Sequence, residues 1–188
     1  MLEVALQLHE SNPHTEIRYG HQLIVKADIA AKRRWLSRGQ WLQNEQRTPI
    51  ANPVANHYSL EFDLKRLDNT GGFQIRFPIA NTAGDLHLAD GMHYSSDFSG
   101  LGVINGVHAA ESPDRIEGDP FADGQVHRIG LKVTPESVLL SVDDAAYVDW
   151  KGDPSAITSY RMDKDVPAEL HFTQSAKFFI SNLEFTEE

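Results

Sequence analysis

The chain has 188 residues, 40% of them apolar and 23% charged, with a formal net charge of −10 and no cysteine. At this length one domain buries roughly 70% of its unfolded surface, and the acidic balance opposes binding to nucleic acid, where affinity comes from clustered Lys and Arg. Disulfides, thiolate metal centres and thiol nucleophiles are excluded. No run approaches the ~20 apolar residues of a membrane helix, so no membrane insertion is expected.

The opening "MLEVALQLHESNPHTE" lacks the basic and long apolar regions of a signal peptide. The expected location is therefore cytoplasmic, or extracytoplasmic if this is a domain of a longer exported protein. "EIRYGHQLIVKADI" reads as two strands around Gly20. "DIAAKRRWLS" reads as one short helix capped by Asp28, its basic cluster a solvated face. Residues 1–36 are thus expected to form a less regular extension packed on a single domain spanning 1–188. "RTPIANPVANHY", with two prolines, reads as an extended connection.

From Tyr58 onward the pattern has period two. "YSLEFDLKRL" places Leu60, Phe62 and Leu64 on one face, with Ser59, Glu61, Asp63 and Lys65 on the other, as a half-buried antiparallel strand does. "DNTGG" is a turn, and "FQIRFPI" alternates again with Phe73, Ile75 and Phe77 inward. "DLHLAD", "LGVING", "HRIGLKVT", "SVLLSVD", "AAYVDW", "AELHFT" and "KFFISNLEF" continue the series, and "SGLG" at 99–102 reads as a turn. In "SVLLSVDDAAYVDWKGD" the acidic pair is the turn of a hairpin, Asp144 standing where glycine is common. Trp150 is expected in the core with Val148, opposite Tyr147 and Asp149. Short strands every 8–15 residues between Gly, Pro, Asn and Asp clusters predict an all-β, two-sheet antiparallel sandwich or jelly roll.

Several segments carry a resemblance from Ser37 to Glu188: "ANHYSLEFDLKRLDNTGGFQIRFPI", "SGLGVINGVHAAESP", "DGQVHRIGLKVTPESVLLSVDDAAYVDWKGD" and "AELHFTQSAKFFISNLEF". In this order they are similar to the concanavalin A-like lectin/glucanase superfamily, above all to laminin-G-like domains and the 3-keto-disaccharide hydrolase type. The resemblance implies two packed sheets of six or seven strands. Such folds host many unrelated activities, so each site needs its own test.

Retaining glycosidases of this superfamily place two carboxylates on one strand. Here Glu61 and Asp63 are followed by Lys65 and Arg66, so these acids read as surface ion pairs. "NTGGFQIRF" is compatible with the keto-disaccharide hydrolase turn, and Arg76 matches its site arginine. That family's acidic segment is not recognisable in "GDLHLADGMHYSSDFSG". A hydrolase would need Arg76 to converge with one or two of Asp85, Asp90 and Asp97.

The nine histidines form no zinc spacing, although His87 and His93 flank Asp90. The laminin-G-like resemblance implies calcium at a sheet rim, with Asp90 and Asp97 as candidate ligands. "LADGMHYSSDFSG" concentrates His93, Tyr94, Asp97 and Phe98 in a polar, glycine-rich loop suited to stacking on a sugar and bonding its hydroxyls. With Arg76 these are the candidate ligand-binding residues. No nucleophile elbow or phosphate loop occurs. The expected role is a non-catalytic recognition module for a carbohydrate or protein partner, part of a larger chain; the alternative is a 3-keto-disaccharide hydrolase-like enzyme.

Overall fold

The computed structural model describes residues 16–19, 23–28, 33–36, 40–42, 48–53, 56–68, 71–91, 96–159 and 169–188. Five strands precede the clear period-two region: β1 Glu16–Tyr19, β2 Leu23–Asp28, β3 Arg33–Leu36, β4 Gln40–Leu42 and β5 Thr48–Ala51. The middle of the chain gives β6 Tyr58–Arg66, β7 Phe73–Ile79, β8 Thr82–Leu88, β9 Phe98–Leu101, β10 Val103–Ile104, β11 Val107–His108 and β12 Ile116–Glu117. The remainder gives β13 Val126–Thr134, β14 Ser137–Val142, β15 Ala145–Lys151, β16 Ile157–Thr158, β17 Leu170–Gln174 and β18 Phe178–Glu187.

These strands make two main sheets. Sheet I has nine strands in the order β1-β2-β3-β18-β6-β13-β14-β15, with β4 also pairing β18. Sheet II has six, ordered β12-β9-β8-β7-β17-β5, and a small sheet β11-β10-β16 lies beside it. The antiparallel sandwich expected from the period-two pattern is what forms.

Alternation decides which residues fill the core. Tyr58, Leu60, Phe62 and Leu64 are buried along β6, as are Phe73, Ile75, Phe77 and Ile79 along β7. Four phenylalanines interlock the sheets: Phe62 of β6 lies 4.9 Å from Phe172 of β17, which lies 5.0 Å from Phe73, itself 5.1 Å from Phe178 of β18. Such tilted ring pairs add about 0.5–1.5 kcal/mol each beyond area burial. The Tyr58 hydroxyl donates 2.6 Å to the Pro78 carbonyl, satisfying both groups, and burial pushes its pKa well above the usual tyrosine value.

Four local expectations need correction. Asp28 and residues 33–36 are not helical: they lie in β2 and β3, which pair antiparallel, and Arg33, Arg34 and Trp35 pair with Thr186, Phe185 and Glu184 of β18. A helix this short has too few internal hydrogen bonds to repay its nucleation, whereas pairing with β18 extends an existing ladder. Residues 16–19, 23–28 and 33–36 are thus strands of sheet I. Likewise the Thr48–Ala51 part of "RTPIANPVANHY" is the edge strand of sheet II, an edge position being where a strand proline such as Pro49 is tolerated. "SGLG" contributes Ser99–Leu101 to β9. Tyr147 packs against the core together with Val148 and Trp150. The β14–β15 register shifts between Leu140 and Ser141, so that Tyr147 is the extra residue of a bulge.

The acidic hairpin turn forms as expected, with an addition. Asp143 and Asp144 both hold positive φ, 50° and 64°, the geometry of a type I′ turn. Asp143 also accepts from the Arg128 backbone N–H at 2.8 Å, tying the turn to β13.

Candidate functional site

The outer face of sheet II carries polar side chains in register. On β7, Gln74 and Arg76 alternate with the core residues Phe73, Ile75 and Phe77. On β8, Asp85 and His87 alternate with Leu86 and Leu88. Antiparallel pairing sets His171 of β17, Arg76 and Asp85 in one cross-strand row. Thr173, Gln74 and His87 form a second row beside it.

Each row is hydrogen-bonded. Arg76 Nε lies 3.2 Å from Asp85 Oδ1, and Asp85 Oδ2 accepts from the Ser159 hydroxyl at 2.7 Å, which also meets the Arg76 guanidinium. In the second row Asp90 Oδ2 lies 2.7 Å from His87 Nδ1 and accepts from Gln74 Nε2 at 2.8 Å. Burial acts to raise the Asp90 pKa, but the bonds from His87 and Gln74 outweigh it and hold the carboxyl below its ordinary value. His87 Nε2 is buried without a hydrogen-bond partner.

A segment crosses this face closely. Gly102 passes over Asp85 and His87, where a Cβ would stand 3.1 Å from the Asp85 Cβ and 3.3 Å from His87 Nε2. Its N–H donates 2.6 Å to the Asp85 carbonyl. The short turn Ala109–Glu111 then brings His108 to within 5.5 Å, ring to ring, of His87. Burial and the neighbouring His87 lower the His108 pKa.

Arg76 thus lies on the polar face of sheet II, beside Asp85 and Ser159. Phe98 is 2% exposed and packs under the His87 ring at 5.7 Å, against Ala109 and Ala110. A ring this buried offers no face for stacking on a sugar. Asp97 Oδ2 lies 3.8 Å from the buried Arg66, which is itself satisfied by Asp119 and by the carbonyls of Asp68 and Gly71. His93 and Tyr94 lie outside the described residues.

Among the described residues no group of three or more acidic or histidine side chains could hold a metal. Asp90 is engaged by His87 and Gln74 while Asp97 faces an arginine, a donor set that does not fit calcium.

Glu61 and Asp63 lie on the solvent side of sheet I and pair with Arg128, at 2.7 and 3.2 Å. A shallow open depression of about 630 Å³ lies elsewhere, lined by Thr134, Glu136, Ser137, Lys151, Gly152, Asp153 and Pro154. It has no aromatic lining, and its Thr134 and Ser137 hydroxyls bond each other at 2.7 Å. Gln74, Ser159, His108 and His171 were not singled out by the sequence. Alternation marks Gln74 as outward-facing, but only the non-local pairing of β7 with β17 brings His171 beside Arg76.

No protein-family model and no curated protein matches the chain. Solved structures do. A Bacillus subtilis protein of unknown function with a galectin-like fold shares 11% identity, covering 92% of this chain and 86% of its own, at a TM-score of 0.52. An A. japonicus fructosyltransferase shares 11% over 80% of this chain, which spans only 25% of that enzyme, at 0.51. Caenorhabditis elegans galectin LEC-6 shares 11%, covering 78% and 93%, at 0.49. The two sheets and the matches at 0.52 and 0.51 give the chain a galectin-like β-sandwich fold.

Proposed function

We propose that the protein is a non-catalytic recognition module that binds carbohydrate on the polar face of sheet II. The observation that carries this reading is the pair of cross-strand rows, in which the half-buried Gln74, Arg76 and Thr173 present amide, guanidinium and hydroxyl groups beside the buried Asp85, His87 and His171. Sugar hydroxyls donate and accept at once, and alternating donors and acceptors are what they require. The positive charge of Arg76 is balanced by Asp85, and Asp90 bonds His87, so a neutral sugar suits the face better than a strongly charged ligand. His93 and Tyr94 follow Asp90 by three and four residues and would supply the stacking surface that Phe98 does not. A broad glycan panel, read with and without calcium, tests the proposal. Binding independent of calcium is expected, and uniform failure to bind would count against it in favour of a protein partner.

A second reading is a hydrolase of the keto-disaccharide type. Arg76 and Asp85 converge on the polar face of sheet II, and that convergence is what favours this reading. Release of free sugar from any panel ligand would establish this reading over simple binding.

A further inference from the structure

His127, at the start of β13, is held from both sides by acids from separate turns. Its Nδ1 lies 2.8 Å from Asp143 Oδ2 in the β14–β15 hairpin turn. Its Nε2 lies 2.9 Å from Asp123 Oδ1 in the turn that precedes β13. Ionised carboxylates only accept hydrogen bonds, and neutral imidazole carries a single N–H. Both contacts are hydrogen bonds only when His127 is the imidazolium. His127 is 8% exposed and its ring stands edge-on to the buried Phe121 at 5.6 Å, so each of its nitrogens is turned to a carboxylate at the rim of the core.

From these contacts we propose that His127 is a proton-dependent staple, fastening the Asp119–Gln125 turn to the β13–β15 region when protonated and releasing it when neutral. The two acids are not equally anchored. Asp143 also takes the Arg128 backbone N–H at 2.8 Å, bridging two strands. Asp123 takes only the N–H of Gln125 within its own turn. Loss of the proton sets a ring lone pair against a carboxylate, and the Asp123 side gives way. Other charged groups nearby have their own partners: Asp119 of the same turn pairs with Arg66 of β6 at 2.5 Å, and Arg128 points to Glu61 and Asp63 on the opposite face. Asp144, the other hairpin acid, is exposed.

The electrostatic surroundings agree. Burial works to lower the His127 pKa, and the hydrogen bonds and charges of Asp123 and Asp143 outweigh it, leaving it above the ordinary histidine value. The Asp123 carboxyl is held low by the Gln125 N–H and then by His127, and Asp143 by His127 first. A histidine raised on folding stabilises fully below its unfolded value of about 6.5 and loses that contribution as pH rises through the folded value. The depressed acids stabilise above about 3.9 and lose their contribution as pH falls through their folded values. The staple is complete between those limits.

Nitrogen-15 NMR of the histidine side chains, with amide hydrogen exchange across the same pH range, tests the proposal. At pH 6 both His127 nitrogens should be protonated, and titration should centre above about 6.5. Protection of the 121–126 amides, corrected for intrinsic rate, should fall through that titration. In Asp123→Asn, a change on an exposed turn that leaves the core intact, the midpoint should move down toward the ordinary value. A single neutral tautomer at pH 6, or protection unchanged through the titration, would overturn it.

Discussion

Arg76 and Asp85 face each other across β7 and β8, Nε 3.2 Å from Oδ1, and Ser159 closes the pair from a segment remote in sequence. The side chains are 14% and 12% exposed, so this ion pair sits in a largely dehydrated setting on the face proposed to bind sugar. Removing one partner of such a pair leaves an uncompensated charge, a loss of about 3–5 kcal/mol for a fully buried pair and less for one with this residual exposure. Asp85→Asn should therefore lower the urea midpoint more than Glu61→Gln, whose pairing with the exposed Arg128 side chain contributes at most about 1 kcal/mol. Equal shifts in the two variants would contradict the pair's assignment.

Gln74 is the milder probe of binding. Its amide touches Asp90 and His87 at the centre of the second row, and its side chain is only half-buried. Gln74→Ala should weaken glycan binding by about 10–100-fold, the loss of one or two hydrogen bonds involving charged groups, with a small change in thermal midpoint. Titration calorimetry of the folded variant measures it.

The interlocked phenylalanines set the stability of the sandwich. Phe172 meets rings from both sheets, so Phe172→Ala should cost about 3–5 kcal/mol. Phe98, in the separate cluster under His87, has fewer ring neighbours within the core, and Phe98→Leu should cost less while disturbing His87. Chemical denaturation of both variants gives the comparison.

The hairpin acids should respond in opposite directions. Asp144 is exposed and holds φ 64°, so Asp144→Gly should stabilise by about 0.5–1 kcal/mol through relief of the left-handed conformation. Asp143→Gly gains the same relief but loses the bonds to His127 and the Arg128 N–H, and should be net destabilising. Denaturant midpoints of the two single variants decide it.

The sandwich was legible because period-two alternation from Tyr58 onward separates Leu60, Phe62 and Phe73 from their polar neighbours at every step. The N-terminal strands were not: "KRRWLS" has weak local preference, and only the open edge of β18 selects a strand there. The site was half legible. Arg76 could be named by resemblance and Asp85 only as one of three acids that might join it, because the union of β7 with β17 and the arrival of Ser159 are long-range events. Phe98 looked like a loop aromatic because its cover, Ala109 and Ala110, comes from a later turn.

The central claim is that the polar face of sheet II binds a neutral glycan. Amide and side-chain chemical shifts recorded while titrating the tightest ligand from the glycan panel test it most directly. Perturbations should concentrate at Gln74, Arg76, Asp85, His87 and Thr173, with the Glu136–Asp153 depression and the Arg128 face unmoved. Saturable binding that perturbs either of those regions instead, and leaves Gln74 and Arg76 unchanged, would contradict it.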